Sequence, residues 1–79
     1  MSIKPDRELN IKGEVCPFTF VKTKLQLESM ESGEVLRVVV DHEPATKNVP
    51  RSAENEGHEV LLWPHKFNDT DWEFIIKKK

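Results

Sequence analysis

Polar and apolar residues alternate in Arg7-Glu8-Leu9-Asn10-Ile11-Lys12, with Leu9 and Ile11 on one face, which predicts a half-buried strand that Gly13 ends. From Pro17 to about Ser32 the period changes to that of a helix. The segment has no glycine and is rich in good helix formers, and Gly33 stands where a C-cap glycine belongs. Its apolar residues fall on two stripes. Phe20, Thr23, Leu27 and Met30 run to the last turn and are expected to face a sheet. Phe18, Val21 and Leu25 are expected either to pack on a neighbouring helix or to form a docking surface.

Glu34 to Asp41 holds a nearly continuous Val/Leu run, which predicts a central strand buried on both sides. Asp41-His42-Glu43-Pro44 then offers a helix start, with Asp41 or His42 at the cap. Pro50 is expected to divide the region into a turn over 44–49 and a helix from Pro50 to Gly57, with Ala45, Val49 and Ala53 facing inward. His58 to Trp63 reads as a third strand stopped by Pro64, and Trp72 to Lys77 as a fourth. The loop from Lys66 to Asp71 is short enough to make the last two strands antiparallel, whereas each strand-helix-strand link favours a right-handed parallel crossover. The order is β-α-β-α-β-β. With so few elements the economical architecture is an α+β two-layer sandwich, a four-stranded mixed sheet with both helices on one face.

At 79 residues the chain has the length of one domain spanning 1–79, with 1–6 and 78–79 expected to fray. A chain this short buries only roughly 60% of the surface its unfolded form exposes, so the core is thin. One cysteine excludes an internal disulfide and points to a reducing cytoplasm. Neither a membrane-spanning run nor a signal-peptide core is present in the sequence. Charged residues make up 33%, but 12 basic against 14 acidic gives a net charge of −2, and no basic stripe suggests a nucleic-acid partner.

The candidate chemistry lies in Gly13-Glu14-Val15-Cys16-Pro17-Phe18-Thr19. Proline is favoured in the first turn of a helix, so Pro17 puts Cys16 at or beside the N-cap, where Pro17, Phe18 and Thr19 would form the helix start that supports a thiolate. Glu14 pushes weakly the other way. Free cysteines are often buried and inert, but this position argues for a reactive one. The spacing of His42, His58 and His65 matches no common metal pattern, Cys16 has no companion thiolate, and neither metal nor cofactor is expected. Asp41 and Glu43 read as capping and dipole partners, Lys22 and Lys24 as solvated lysines, and Trp63 and Trp72 as a cross-strand pair.

Four elements in order make the chain resemble the TusA (SirA-like) family of small sulfur-carrier proteins from about Leu9 to Lys77. They are Gly13-x-x-Cys16-Pro17, Gly33-Glu34 opening the Val35–Val40 strand, Asp41-His42-Glu43-Pro44-Ala45-Thr46 leading to Val49-Pro50, and Gly57-His58-Glu59-Val60. The resemblance implies the same two-layer sandwich, related to the C-terminal domain of a bacterial translation initiation factor. It also implies that Cys16, matching the cysteine of a Cys-Pro-x-Pro motif, carries sulfur as a persulfide from a cysteine desulfurase or similar donor to an acceptor protein. Thr19 stands where the second proline is expected, which changes the expected partner more than the chemistry. The alternative is a non-catalytic interaction module that uses the Phe18, Val21 and Leu25 surface.

Overall fold

The computed structural model describes residues 4–15 and 18–79; Cys16, Pro17 and the first three residues lie outside the described residues. The elements are β1 (Arg7–Asn10), α1 (Phe18–Glu28), β2 (Val35–Val40), α2 (Glu43–Asn55), β3 (Glu59–Lys66) and β4 (Trp72–Lys77). They form one mixed sheet of order β1-β2-β4-β3, in which β1 runs parallel to β2 while β4 is antiparallel to both β2 and β3. The long Val run is therefore a central strand, as its composition implies. β4 lies between β2 and β3, so those two strands share a direction without being neighbours.

Both helices cover the same face. Leu36, Val38 and Val40 of β2 and Phe74 and Ile76 of β4 alternate onto it. There they join Ile11, Leu27 and Met30 and the inward residues of α2, Ala45, Val49 and Ala53, in one buried cluster. Phe20 is partly buried against that cluster and Thr23 is fully buried, so the first stripe of α1 faces the sheet.

The opposite face is shielded by side chains. The Arg37 Nε donates to Glu73 Oε1 at 2.7 Å, a second Arg37 nitrogen reaches Glu8 Oε1 at 3.4 Å, and His65 Nε2 lies 3.0 Å from Glu73 Oε2. Phe67 stacks on the Arg37 guanidinium at 5.5 Å, a cation–π contact. Val39 and Ile75, the apolar residues beside this network, are buried.

Several boundaries differ from the sequence expectation. Helix α1 ends at Glu28 rather than near Ser32, because the Ser29 hydroxyl donates to Gln26 O and competes with further helix. Gly33 belongs to the turn into β2 and is not a helix cap. Helix α2 is a single helix that runs through Pro50, not a turn followed by a shorter helix. Pro50 cannot donate to the Thr46 carbonyl, but Pro50 is itself buried beside Val49 and Ala53, and this apolar face offsets the missing bond. The helix closes as expected at Gly57, whose positive φ lets its N–H reach Glu54 O while His58 N donates to Ala53 O.

Strand β3 likewise continues through Pro64 to Lys66. It is an edge strand with register shifts on both sides of Leu62, and at such a position a residue without an N–H breaks no ladder. Trp63 and Trp72 do not pair: Lys66 is opposite Trp72 and its ammonium sits 5.0 Å over that ring, while Trp63 is exposed.

His58 gives the fold a pH dependence. Burial, then the Lys78 and Lys79 charges, lower its pKa against an upward pull from Glu56, and Lys79 N donates to the bare Nδ1 at 3.2 Å. The folded ring therefore binds a proton less readily than the unfolded one. Its contribution to stability is complete above the unfolded value of about 6.5 and is lost as pH falls through the lower folded value. Urea unfolding at pH 7 and pH 5 is expected to show a larger loss of stability in the wild-type chain than in His58→Gln.

Candidate functional site

The segment Lys12–Val15, which leads to Cys16, sits where β1 gives way to α1. Ile11 N donates to Val39 O at 3.0 Å, continuing the parallel pairing one residue past β1, and Glu14 N turns back to Ile11 O at 3.2 Å. Gly13 supports this turn with φ of 88°, a left-handed conformation that glycine adopts without the Cβ clash other residues meet. Two aspartates hold the segment from outside. Asp41 Oδ1 accepts from Gly13 N at 2.9 Å, and Asp71 Oδ2 lies 3.1 Å from the Lys12 ammonium.

Asp71 is the buried member of the pair, only 4% exposed. Its carboxylate accepts from Asn68 Nδ2 and from the Thr70 hydroxyl, while Asn68 Oδ1 accepts from the backbone N–H groups of Thr70 and Asp71. The Asn68 hydrogen bond leads the causes that hold the Asp71 carboxyl below the usual range; burial opposes it, and Lys12 and Thr70 add to the lowering.

On the far side of Cys16, the Val15 carbonyl accepts from both Phe18 N at 2.8 Å and Thr19 N at 3.4 Å. Both amides at the start of the helix are thus engaged by Val15. Thr19 is fully buried, so its difference from proline is not something a docking protein touches. Thr23 Oγ1 donates to Thr19 O at 2.8 Å, tying the first two turns of α1 together.

The second stripe of α1 does not pack on α2. Phe18, Val21 and Leu25 are 57%, 44% and 61% exposed and form an apolar strip along α1, and Val15, one residue before Cys16 in the sequence, is 49% exposed. Glu14, which sequence alone left as an opposing charge near the thiol, pairs with Lys22 at 3.0 Å. Lys24 reaches Glu56 at the end of α2 at 3.5 Å. Both lysines are therefore paired rather than freely solvated, although exposed pairs of this kind contribute about 0–1 kcal/mol.

The histidines occupy separate places: His42 is the N-cap residue of α2, His58 meets Lys79, and His65 meets Glu73. His42 makes no side-chain cap, and Asp41, read from sequence as a cap or dipole partner, instead crosses to Gly13. Asp71 was not legible as part of the site. Its signal is the Asn68-x-Thr70-Asp71 cluster, in a segment that from sequence reads only as a connecting loop.

Fold and site together define a small α+β sandwich with one covered sheet face and a lone cysteine in the stretch joining its first strand to its first helix. Residues 7–78 match the family model described as sulfurtransferase TusA, and the chain belongs to that family. A protein of Archaeoglobus fulgidus, provisionally named a sulfur carrier, is 58% identical over 77 residues, covering 98% of this chain and 86% of the relative. YedF of Escherichia coli, with the same provisional name, is 38% identical over 60 residues, covering 76% and 78%. The crystal structure of a SirA-like protein from Desulfitobacterium hafniense has a TM-score of 0.77 at 26% identity, covering 90% of this chain and 95% of that one. None of the helices among the described residues is long and apolar enough to cross a membrane.

Proposed function

We propose that this chain is a sulfur carrier that holds a persulfide on Cys16 and relays it between two proteins. The observation that carries the reading is the family match over residues 7–78, with Cys16 in the connection where that family's reactive cysteine is expected. In the loading step the Cys16 thiolate attacks the outer sulfur of a persulfide on a donor enzyme such as a cysteine desulfurase. A new S–S bond forms on Cys16, the donor's S–S bond breaks, and the donor cysteine leaves as a thiolate. In the second step an acceptor thiolate attacks the same outer sulfur and Cys16 is released as a thiolate. The chain has no second cysteine with which to discharge itself, so the acceptor is another protein, and a reducing cytoplasm suits the exchange.

Helix α1 begins two residues after Cys16, so the positive end of its dipole favours a thiolate there. The Phe18 and Thr19 amides contribute by closing onto Val15, which sets the start of the helix. Incubation with a cysteine desulfurase and cysteine tests the reading: intact mass should show one added sulfur atom per chain. Absence of any adduct with several desulfurases would overturn it.

The exposed Phe18, Val21 and Leu25 strip is the proposed docking surface for donor and acceptor. Loss of a central interface residue costs about 2 kcal/mol where it is a hot spot, and Val21→Asp also places a charge in the apolar strip, so it is expected to lower kcat/KM for enzymatic loading about 30-fold. Alkylation of Cys16 by a small reagent, and the thermal midpoint, should remain unchanged. Unaltered loading would remove the strip from the account. If instead Val21→Asp abolished a cellular function that Cys16→Ser retained, the chain would be a binding module of the same fold.

A further inference from the structure

We propose that Asp41, acting through Gly13, is a positioning residue for reaction at Cys16, with the Asp71–Lys12 pair as a second tether on the same segment. The proposal rests on Cys16 being the reacting group and adds to that reading the groups that set its reactivity from outside the connection.

Asp41 and Asp71 adjoin the last rung of the central strand pair, Val40 opposite Trp72. They therefore emerge side by side from the end of the central strand pair, where Val40 is fully buried. Each carboxylate reaches a different residue of the preceding connection: Asp41 takes the Gly13 N–H at 2.9 Å and Asp71 takes the Lys12 ammonium at 3.1 Å. The Asp41 bond spans 28 residues of sequence and, with a charged acceptor, is of the stronger kind. Only Glu14 and Val15 separate Gly13 from Cys16, and Val15 is held in turn by Phe18 and Thr19. The described residues on either side of Cys16 and Pro17 are thus held, Gly13 by the sheet and Val15 by the first amides of the helix.

Neither aspartate is placed as a cap. His42 is the N-cap residue of α2, and Asp71 lies before β4 with its carboxylate directed into the loop and to Lys12. Asp6 provides a natural comparison. Its Oδ2 accepts from Val35 N at 2.9 Å, a tether of the same chemistry at the opposite end of β2. If the Asp41 bond served stability alone, its loss and the loss of the Asp6 bond would have the same consequences for the thiol.

The experiment measures Cys16 alkylation by iodoacetamide against pH, and loading by a cysteine desulfurase, in the full chain and in Asp41→Ala, Asp41→Asn, Asp41→Glu and Asp6→Ala. Small misplacements at a reacting centre can reduce rates by up to about 10²-fold, and Asp41→Ala is expected to lower loading kcat/KM about tenfold. It should also raise the alkylation midpoint toward the free-cysteine value of about 8.5. Removing a nearby negative charge has the opposite electrostatic effect, lowering the midpoint, so the sign separates positioning from charge. Asp41→Asn keeps the acceptor oxygen and should stay near wild type. Asp41→Glu keeps the charge but displaces the oxygen and should behave like Asp41→Ala, and Asp6→Ala should leave both readouts unchanged.

Wild-type behaviour in Asp41→Ala, equal losses in Asp41→Asn and Asp41→Ala, or an Asp6→Ala effect as large as that of Asp41→Ala would each overturn the proposal. Alkylation requires no sulfur donor. It therefore decides the positioning claim even if the wild-type chain takes no sulfur, a result that would count against the carrier reading alone.

Discussion

Replacing Phe74 with alanine is expected to destabilise the chain by about 3–5 kcal/mol, the range for deleting a large buried aromatic side chain. Phe74 is fully buried at the middle of β4, opposite Val38 of β2, and lies in the one cluster that joins both helices to the sheet. At roughly 0.05–0.15 kcal/mol per residue, a chain of this length has about 4–12 kcal/mol of total stability. The substitution therefore removes a large fraction of it or all of it. The helices and the connection after α1 contribute mostly small or flexible residues to this cluster, among them Ala45, Ala53 and Met30, and none can extend to fill a phenyl-sized space. Urea unfolding should show a much lower midpoint with little change in slope, and Phe74→Leu should fall between the two. A loss below about 1 kcal/mol would mean that the helix layer can collapse onto the sheet, contrary to the packing described.

Cys16→Ser is expected to abolish sulfur acceptance while leaving the fold intact. Serine is close to cysteine in size, but its hydroxyl is not appreciably ionised near neutral pH, and sulfur exchange requires a thiolate as attacking group and as leaving group. No other cysteine is present to take over the sulfur. An exchange between two small side chains of similar volume is expected to change stability little. Intact mass after incubation with donor should show no added sulfur, and thermal unfolding should match wild type. Covalent sulfur retained by the serine variant would remove Cys16 from its proposed role.

The sheet was legible in the sequence because alternation reports directly on faces. The Val run of β2 and the Trp72–Lys77 strand are observed close to where the pattern puts them, and Ala45, Val49 and Ala53 do point inward. The two prolines misled for one shared reason. The local effect of Pro50 and Pro64 on hydrogen bonding predicts a break at each, but Pro50 lies on a buried helix face and Pro64 on a bulged edge strand, conditions set by tertiary context.

At the candidate site the connection carrying Cys16 was visible, as was the apolar strip beside it. The tethers were not, because the sequence separation between Gly13 and Asp41, and between Lys12 and Asp71, hides pairs that exist only once β2 and β4 lie side by side. Thr19 shows the converse. Its place in the motif suggests a surface difference, whereas Thr19, in the first turn of α1, is fully buried.

The central claim is relay, and a single-turnover transfer of labelled sulfur tests it most directly. The chain is loaded from labelled cysteine by a desulfurase, separated from the donor, and mixed with an acceptor protein bearing a reactive thiol. The account predicts that label moves to the acceptor in step with recovery of the free Cys16 thiol, and that the Cys16→Ser chain delivers none. Label that never enters the wild-type chain, or that enters and stays there with every thiol acceptor offered, would contradict it.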